Sequence, residues 1–481
     1  MAGTRSVREA HGVAAHHARR HGLALQPLRG TGAEVNRIRF IDSARRLVPL
    51  AWPVLVGQIA VMMFSTIDTL MMGRVSPEDL AALAVGSAAY VSIFVGLMGV
   101  VLAVGPIAGR QFGAQDLAGA GRSFVQAQWL ALLLCIPGCL ALWFPDPFTA
   151  LAQLDAAQAA KVRAYTRPEA FALPAALLFT AFRGFSTAVS RPKAVMAMQL
   201  TGLAAKVPLN AILVFGWGPV PALGVAGCGW ATAIALIGQA AVAMLLLRRD
   251  AFYRPFHIPQ LWRTRPLWGE LAALVKLGLP MGGSILVEVT GFTFMAFFIA
   301  RLGATPVAGH QIAVNLVAMM FMIALAFATA AGTLVAQHLG AAQKREARIV
   351  GRHAMSLAAL TAAAVGAIVA VAREPIVALY TNNPATAAAA LPLLVWVWFF
   401  HLGDALQTVA AYVLRAYQVA TLPMVIYVVA LWGLGIGGGY FLAFGRDGAG
   451  AVGFWQAATA GLMMAGLLLS LLLKRVFDEN R

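Results

Sequence analysis

Apolar segments long enough to cross a bilayer recur along most of this 481-residue chain, and that recurrence restricts the fold more than any motif does. A helix needs about 20 apolar residues to traverse the hydrocarbon core. Twelve segments meet that length, at about 47–72, 82–109, 123–144, 165–188, 193–216, 223–247, 277–300, 307–336, 350–372, 391–414, 421–444 and 450–473. Gly and Pro fall inside several of them, as membrane helices tolerate. With 60% hydrophobic residues, 11% charged residues and a mean hydropathy of +0.77, a soluble globule is excluded. The expected fold class is an all-α polytopic membrane protein.

Orientation is read from Lys and Arg between the spans. The even-numbered loops carry Arg110 and Arg122, then Arg183, Arg191 and Lys193, then Arg248 through Lys276, then Lys344 through Arg352. The odd-numbered loops hold only Arg74, Lys161, Arg163, Arg301, Arg373 and Arg446. Both termini are therefore expected in the cytoplasm, in a multi-pass protein of the cell (inner) membrane. The net charge of +17 is then mostly topology signal, and nucleic acid is not an expected partner.

Residues 1–46 form an Arg-rich tail with His11, His16, His17 and His21, whose composition predicts disorder. A solvated tail, able to touch anionic membrane lipid, is expected there rather than metal binding. No apolar core with a small-residue cleavage site precedes Leu47, so the first span is expected to be retained. Cys135, Cys139 and Cys228 lie in apolar spans and predict neither a disulfide framework nor a metal site.

An internal duplication organises the rest. Sliding the chain by 227 residues lays LAWPVLVGQ (50–58) on LGLPMGGSI (277–285) and GRQFGA (109–114) on AQHLGA (336–341). The shift pairs Pro53 with Pro280, Arg74 with Arg301, Gly105 with Gly332 and Gly113 with Gly340. Two homologous six-helix bundles follow, over 47–247 and 277–476, with 248–276 as a cytoplasmic linker and 477–481 as a tail. Six spans per half make the repeats parallel, a plan that places binding near the midplane between halves.

Asp68, Glu288 and Asp404 each stand alone in an apolar span. A charge at a helix centre costs roughly 2.5–3.5 kcal/mol on insertion scales, so such acids usually mark an ion or substrate path. A carboxylate in a low-dielectric cavity can be neutralised by a proton, by sodium or by a lipophilic cation, and occupancy by one discourages the others. That exclusion is antiport. Glu288 and Asp404 fall in one half and can share a proton or ion, which makes them the place where Na+ could bind. His401 and Gln407 lie three residues either side of Asp404, as candidates to tune that acid and to line a cavity. Phe292, Trp396, Trp398 and Phe400 offer aromatic surface to a flat cation. Asn210, at a depth similar to Asp68, supplies a neutral oxygen.

Taken with their order and spacing, IDTLMMGRVSPEDLAALAVG (67–86), GLPMGGSILVEVT (278–290), VAGHQIAVNLVAMMFMIALAFATAAG (307–332) and GDALQTVAAYVLRAY (403–417) carry a family resemblance. From Leu47 to Leu473 the chain resembles the multidrug and toxic compound extrusion (MATE) transporters of the NorM type. The resemblance implies the MATE fold and export of organic cations in exchange for H+ or Na+. It also implies ion and substrate roles for the carboxylates matching Asp68, Glu288 and Asp404. One departure stands out: NorM-type sequences tend to carry an amide four residues before Asn210, where this chain has Lys206 in AKVPLN. A mid-span lysine needs a partner, and Asp68 is the natural one.

The rival reading is a flippase for a lipid-linked saccharide, which would ask for a cationic cavity rather than three acids. No nucleotide-binding loop, metal-ligand cluster or nucleophile arrangement appears, so neither an enzyme nor ATP-driven pumping is expected. No cofactor beyond the coupling ion is anticipated, and the protein is expected to act as a monomer on small-molecule cations.

Overall fold

The computed structural model describes residues 33–445 and 448–480. The histidine-rich stretch to residue 32, with the disorder and lipid contact expected of it, and Arg446 lie outside the described residues. The chain divides after Ser43. Before that point the described residues are helical, and the packing below concerns Ala44–Arg481.

Among the described residues, twelve helices are long and apolar enough to span a membrane. They are α1 (Ala33–Met72), α2 (Pro77–Gly113), α3 (Leu117–Trp143), α4 (Ala156–Ala188), α5 (Pro192–Phe215) and α6 (Val225–Arg249), followed by α7 (Trp268–Ala300), α8 (Ala304–Gly340), α9 (Lys344–Val371), α10 (Pro384–Ala416), α11 (Thr421–Phe444) and α12 (Gly450–Glu479). Among the described residues there is no β-strand beyond one isolated bridge, Trp217 with Val220.

Several helices outrun their apolar cores because polar caps start them early. The Ser76 hydroxyl accepts from the Asp79 amide at 3.0 Å, with Pro77 at the first helical position of α2. Asp155 caps α4 by accepting from the Gln158 amide at 2.7 Å, nine residues ahead of its expected start at about 165. The helix that becomes α1 begins at Ala33, so residues 33–46, expected in the disordered tail, are helical. Extending an existing helix adds one hydrogen bond per residue without a new nucleation cost.

Packing follows the repeat, with one exchange. Helices α3, α4, α5 and α6 pack together in the first half, and α8, α9, α10 and α12 in the second. Yet Leu47, Leu50 and Ala51 of α1 sit in the apolar core formed by α8, α9, α10 and α12. Reciprocally, Leu271, Leu274, Leu277 and Met281 of α7 sit in the core of the first half. The two crossing segments run up to the repeat-paired prolines, Pro53 and Pro280, where an intrahelical hydrogen bond is lost.

The halves also meet where α2 crosses α7 and α8. A Cβ on Gly113 would lie 1.9 Å from the Gln337 carbonyl oxygen, and one on Gly340 would lie 1.8 Å from that of Arg110. These glycines are the pair that the 227-residue shift superposes, so the crossing is itself two-fold related. Gln337 secures it by donating to the Ala188 carbonyl at 2.7 Å.

The linker is anchored rather than loose. A short helical turn, Ala251–Phe256, buries Tyr253 and Phe256 against the first half. The Tyr253 and Ser186 hydroxyls stand 3.0 Å apart, Trp262 donates to Gln128 at 2.7 Å, and the Leu267 amide donates to Gln126 at 2.8 Å.

Candidate substrate and ion site

Between the halves lies a cavity of about 600 Å³. Its walls come from α1, α2, α4 and α5 and from their repeat equivalents α7, α8, α10 and α11. Aliphatic, methionine and aromatic side chains dominate the lining, among them Met98, Phe292, Phe321 and Tyr427. Four ionisable groups face it as well: Glu288, Asp404, Arg183 and Arg415.

The two acids come from different helices and meet through one amide. Gln407, one turn beyond Asp404 on α10, donates through Nε2 to Asp404 Oδ1 at 3.0 Å and to Glu288 Oε1 at 3.4 Å. Sequence analysis offered Gln407 as a cavity liner. It is instead fully buried behind the acids, and its own Oε1 has no hydrogen-bond partner among the described residues. An acceptor left open beside two carboxylates makes a cluster of oxygens suited to a proton or a small hard cation.

His401 does not join this cluster. Its ring is buried, its Nδ1 has no hydrogen-bond partner among the described residues, and it does not line the cavity. Three residues advance a helix by about 300°, so His401 and Gln407 stand about 60° to opposite sides of Asp404, and it is the Gln407 side that meets Glu288. Of the aromatic candidates Phe292 reaches the cavity, whereas Trp396, Trp398 and Phe400 do not. Phe400 supports Phe292 from behind, with ring centroids 5.8 Å apart.

The first-half acid occupies a separate, closed site. Asp68 does not line the cavity, and Lys206 donates to its Oδ2 at 2.8 Å while Asn210 Nδ2 donates to its Oδ1 at 2.6 Å. The Lys206 ammonium also donates to the Thr232 hydroxyl at 2.6 Å and lies 4.9 Å from the Phe64 ring centroid. At 1% exposure it cannot snorkel to an interface. A tethered cation therefore already neutralises Asp68. Asn210 presents its amide nitrogen to the acid, and its oxygen is left without a hydrogen bond.

Sequence reasoning missed Glu169. This α4 residue is 0% exposed, neither of its oxygens has a partner at full hydrogen-bond geometry among the described residues, and it lies within electrostatic reach of Lys206 and Asp68. Tyr165 and Thr232 stand beside it. The missed signal was the Asp155 cap: counted from there, Glu169 lies about 20 Å along α4 at 1.5 Å per residue, far from the helix start. Arg183, read above as loop charge, is likewise a cavity residue within α4.

The MatE family model matches the chain twice, over residues 53–212 and 280–441. The two matches start at the paired prolines Pro53 and Pro280. The chain belongs to the MATE family. Among curated MATE relatives it is 41% identical over 437 residues to a probable multidrug resistance protein NorM of Aromatoleum aromaticum, covering 90% of this chain and 94% of that one. It is 32% identical over 442 residues to the multidrug resistance protein PmpM of Pseudomonas aeruginosa, covering 91% and 92%. Among solved structures, the eukaryotic MATE transporter AtDTX14 superposes with a TM-score of 0.83 at 20% identity, over 92% of this chain and 99% of that one. The Vibrio cholerae MATE transporter VcmN in its bent form gives 0.81 at 17% identity, over 92% and 99%. This MATE protein is a multi-pass transporter of the NorM multidrug-efflux type and not an enzyme.

Proposed function

We propose that the protein exports organic cations across the inner membrane in exchange for H+ or Na+, with both termini in the cytoplasm. The observation that carries this reading is the pair Glu288 and Asp404, joined through Gln407 and facing an apolar, aromatic-walled cavity shared by the two halves. A lipophilic cation entering there exchanges water for apolar surface and finds the acids as its counter-charge. Its arrival competes with the proton or sodium that otherwise neutralises them. Asp68 already holds an internal ammonium, so coupling is assigned to the second-half pair.

The relatives named NorM and PmpM, described as multidrug resistance proteins, support drug-like substrates. A flippase for a lipid-linked diphosphate would find Arg183 and Arg415 in the cavity but would also meet Glu288 and Asp404, so its doubly anionic headgroup fits less well than a cation does. The test is export of fluorescent cations from vesicles with sodium and pH gradients imposed separately. Export driven by one gradient and abolished by Asp404→Asn is expected. Export indifferent to both gradients would overturn the proposal.

A further inference from the structure

Arg183 and Arg415 do not belong to the acid cluster, yet they face the same cavity. Lys206 and Arg415 are the buried Lys and Arg side chains among the described residues, and they differ in one respect. Lys206 is neutralised by Asp68 at 2.8 Å, whereas no carboxylate lies within ion-pair distance of Arg415 among the described residues. Arg415 is 7% exposed and places its guanidinium 4.4 Å from the Tyr412 ring centroid. Arg183 donates to Gln58 Oε1 at 3.0 Å and to Met98 Sδ at 3.3 Å, again with no carboxylate within ion-pair distance among the described residues. Tyr412 lies within electrostatic reach of Arg183 as well.

Both lie near the C-terminal ends of their helices, α4 and α10. Glu288 lies within electrostatic reach of Arg415, but its hydrogen bond comes from Gln407 and not from the guanidinium. Two arginines with no carboxylate at ion-pair distance are costly in an apolar cavity, and toward a purely cationic ligand they are also repulsive. Both costs are removed by a ligand that brings its own anion. A guanidinium presents a planar fork of donors that fits a carboxylate through two parallel hydrogen bonds.

We infer that Arg183 and Arg415 form an anion subsite in the cavity, taking the carboxylate of a zwitterionic substrate whose cationic end lies at Glu288 and Asp404. The inference rests on the cation-export reading for the placement of that cationic end.

Binding and export are measured on the full chain with a xanthene dye bearing a free carboxylate and with its methyl ester. The wild type should prefer the acid by about tenfold, the value of one charge-assisted hydrogen bond. Arg415→Gln and Arg183→Gln should each remove that preference, and Arg415→Lys should restore part of it because charge returns without the fork. An acid-to-ester ratio equal in the wild type and both Gln variants would overturn the subsite, as would parallel loss of both dyes. Should the Gln variants fail to fold, benzoate competition on the wild type decides: it should displace the acid and spare the ester, and equal displacement or none refutes the inference. Acid preference in binding without gradient-driven export of either dye leaves the subsite standing and refutes the export reading instead.

Discussion

Replacing Lys206 by Met retains the apolar stem and deletes the ammonium. Two hydrogen bonds go with it, the one to Asp68 at 2.8 Å and the one to Thr232 at 2.6 Å, while Asp68 keeps only the Asn210 donor. Removing one member of a buried ion pair strands the other, at a cost of about 3–5 kcal/mol. Asp68→Asn strands the lysine and should cost about the same. When both changes are made no stranded partner remains, so the double variant should be more stable than the sum of the singles by at least about 2 kcal/mol. The assay is denaturant-titrated unfolding of the purified protein in mixed micelles, carried round the full double-mutant cycle. Adding Glu169→Gln to the Asp68→Asn background measures how far the second carboxylate takes over the ammonium. Single-variant losses that add to within about 0.5 kcal/mol would refute the idea that Lys206 and Asp68 form one energetic unit.

Glu288→Gln and Asp404→Asn should each lower cation export at least about tenfold at unchanged protein amount, as expected when one charge-assisted contact is lost; drug resistance at wild-type level in both would remove them from the site. Lys206→Asn, which restores an amide four residues before Asn210, should make export more dependent on sodium, and transport kinetics with identical sodium and pH dependence would show the lysine to be irrelevant to coupling. Gly340→Ala forces a Cβ into the space 1.8 Å from the Arg110 carbonyl, an overlap that costs about 1–3 kcal/mol only in the conformation that keeps α2 against α8. Maleimide labelling of a cysteine introduced at Thr329, in the cavity wall, should report that shift between conformations, and an unchanged labelling rate would refute it. Reporters fused after Arg481 or inserted near Arg263 should read cytoplasmic and one near Asp155 external; a periplasmic C-terminus would reverse the assignment.

What the chain discloses before folding is set by cost. Asp68, Glu288 and Asp404 were visible because a lone acid in an apolar run is expensive wherever it points. The repeat was visible through Pro53 with Pro280 and Gly113 with Gly340, residues whose backbone properties tolerate few substitutes. Glu169 was hidden because Lys161, Arg163 and Arg167 make its surroundings read as a solvated flank, and only the Asp155 cap reveals how far down the helix it lies. Arg183 was hidden for a related reason: counting cations near span ends treats every arginine as a topology signal, although five residues from the end of α4 its side chain turns into the cavity. The misplacement of His401 reflects the limit of face arguments at a spacing of three. Which halves share which helices was not legible at all, since Leu47 and Leu271 are apolar residues without an address.

That sharing constrains how the protein is made. The first half cannot complete its core when its sixth helix leaves the ribosome, because Leu271, Leu274, Leu277 and Met281 have yet to be synthesised. The second half needs Leu47, Leu50 and Ala51, which are made before any of its own helices. Each bundle thus waits for the other, and the start of α1 must remain undocked through the translation of more than half the chain. Cutting the gene between the bundles would yield two fragments that each lack a part of their own interior, able to fold only by finding one another in the bilayer.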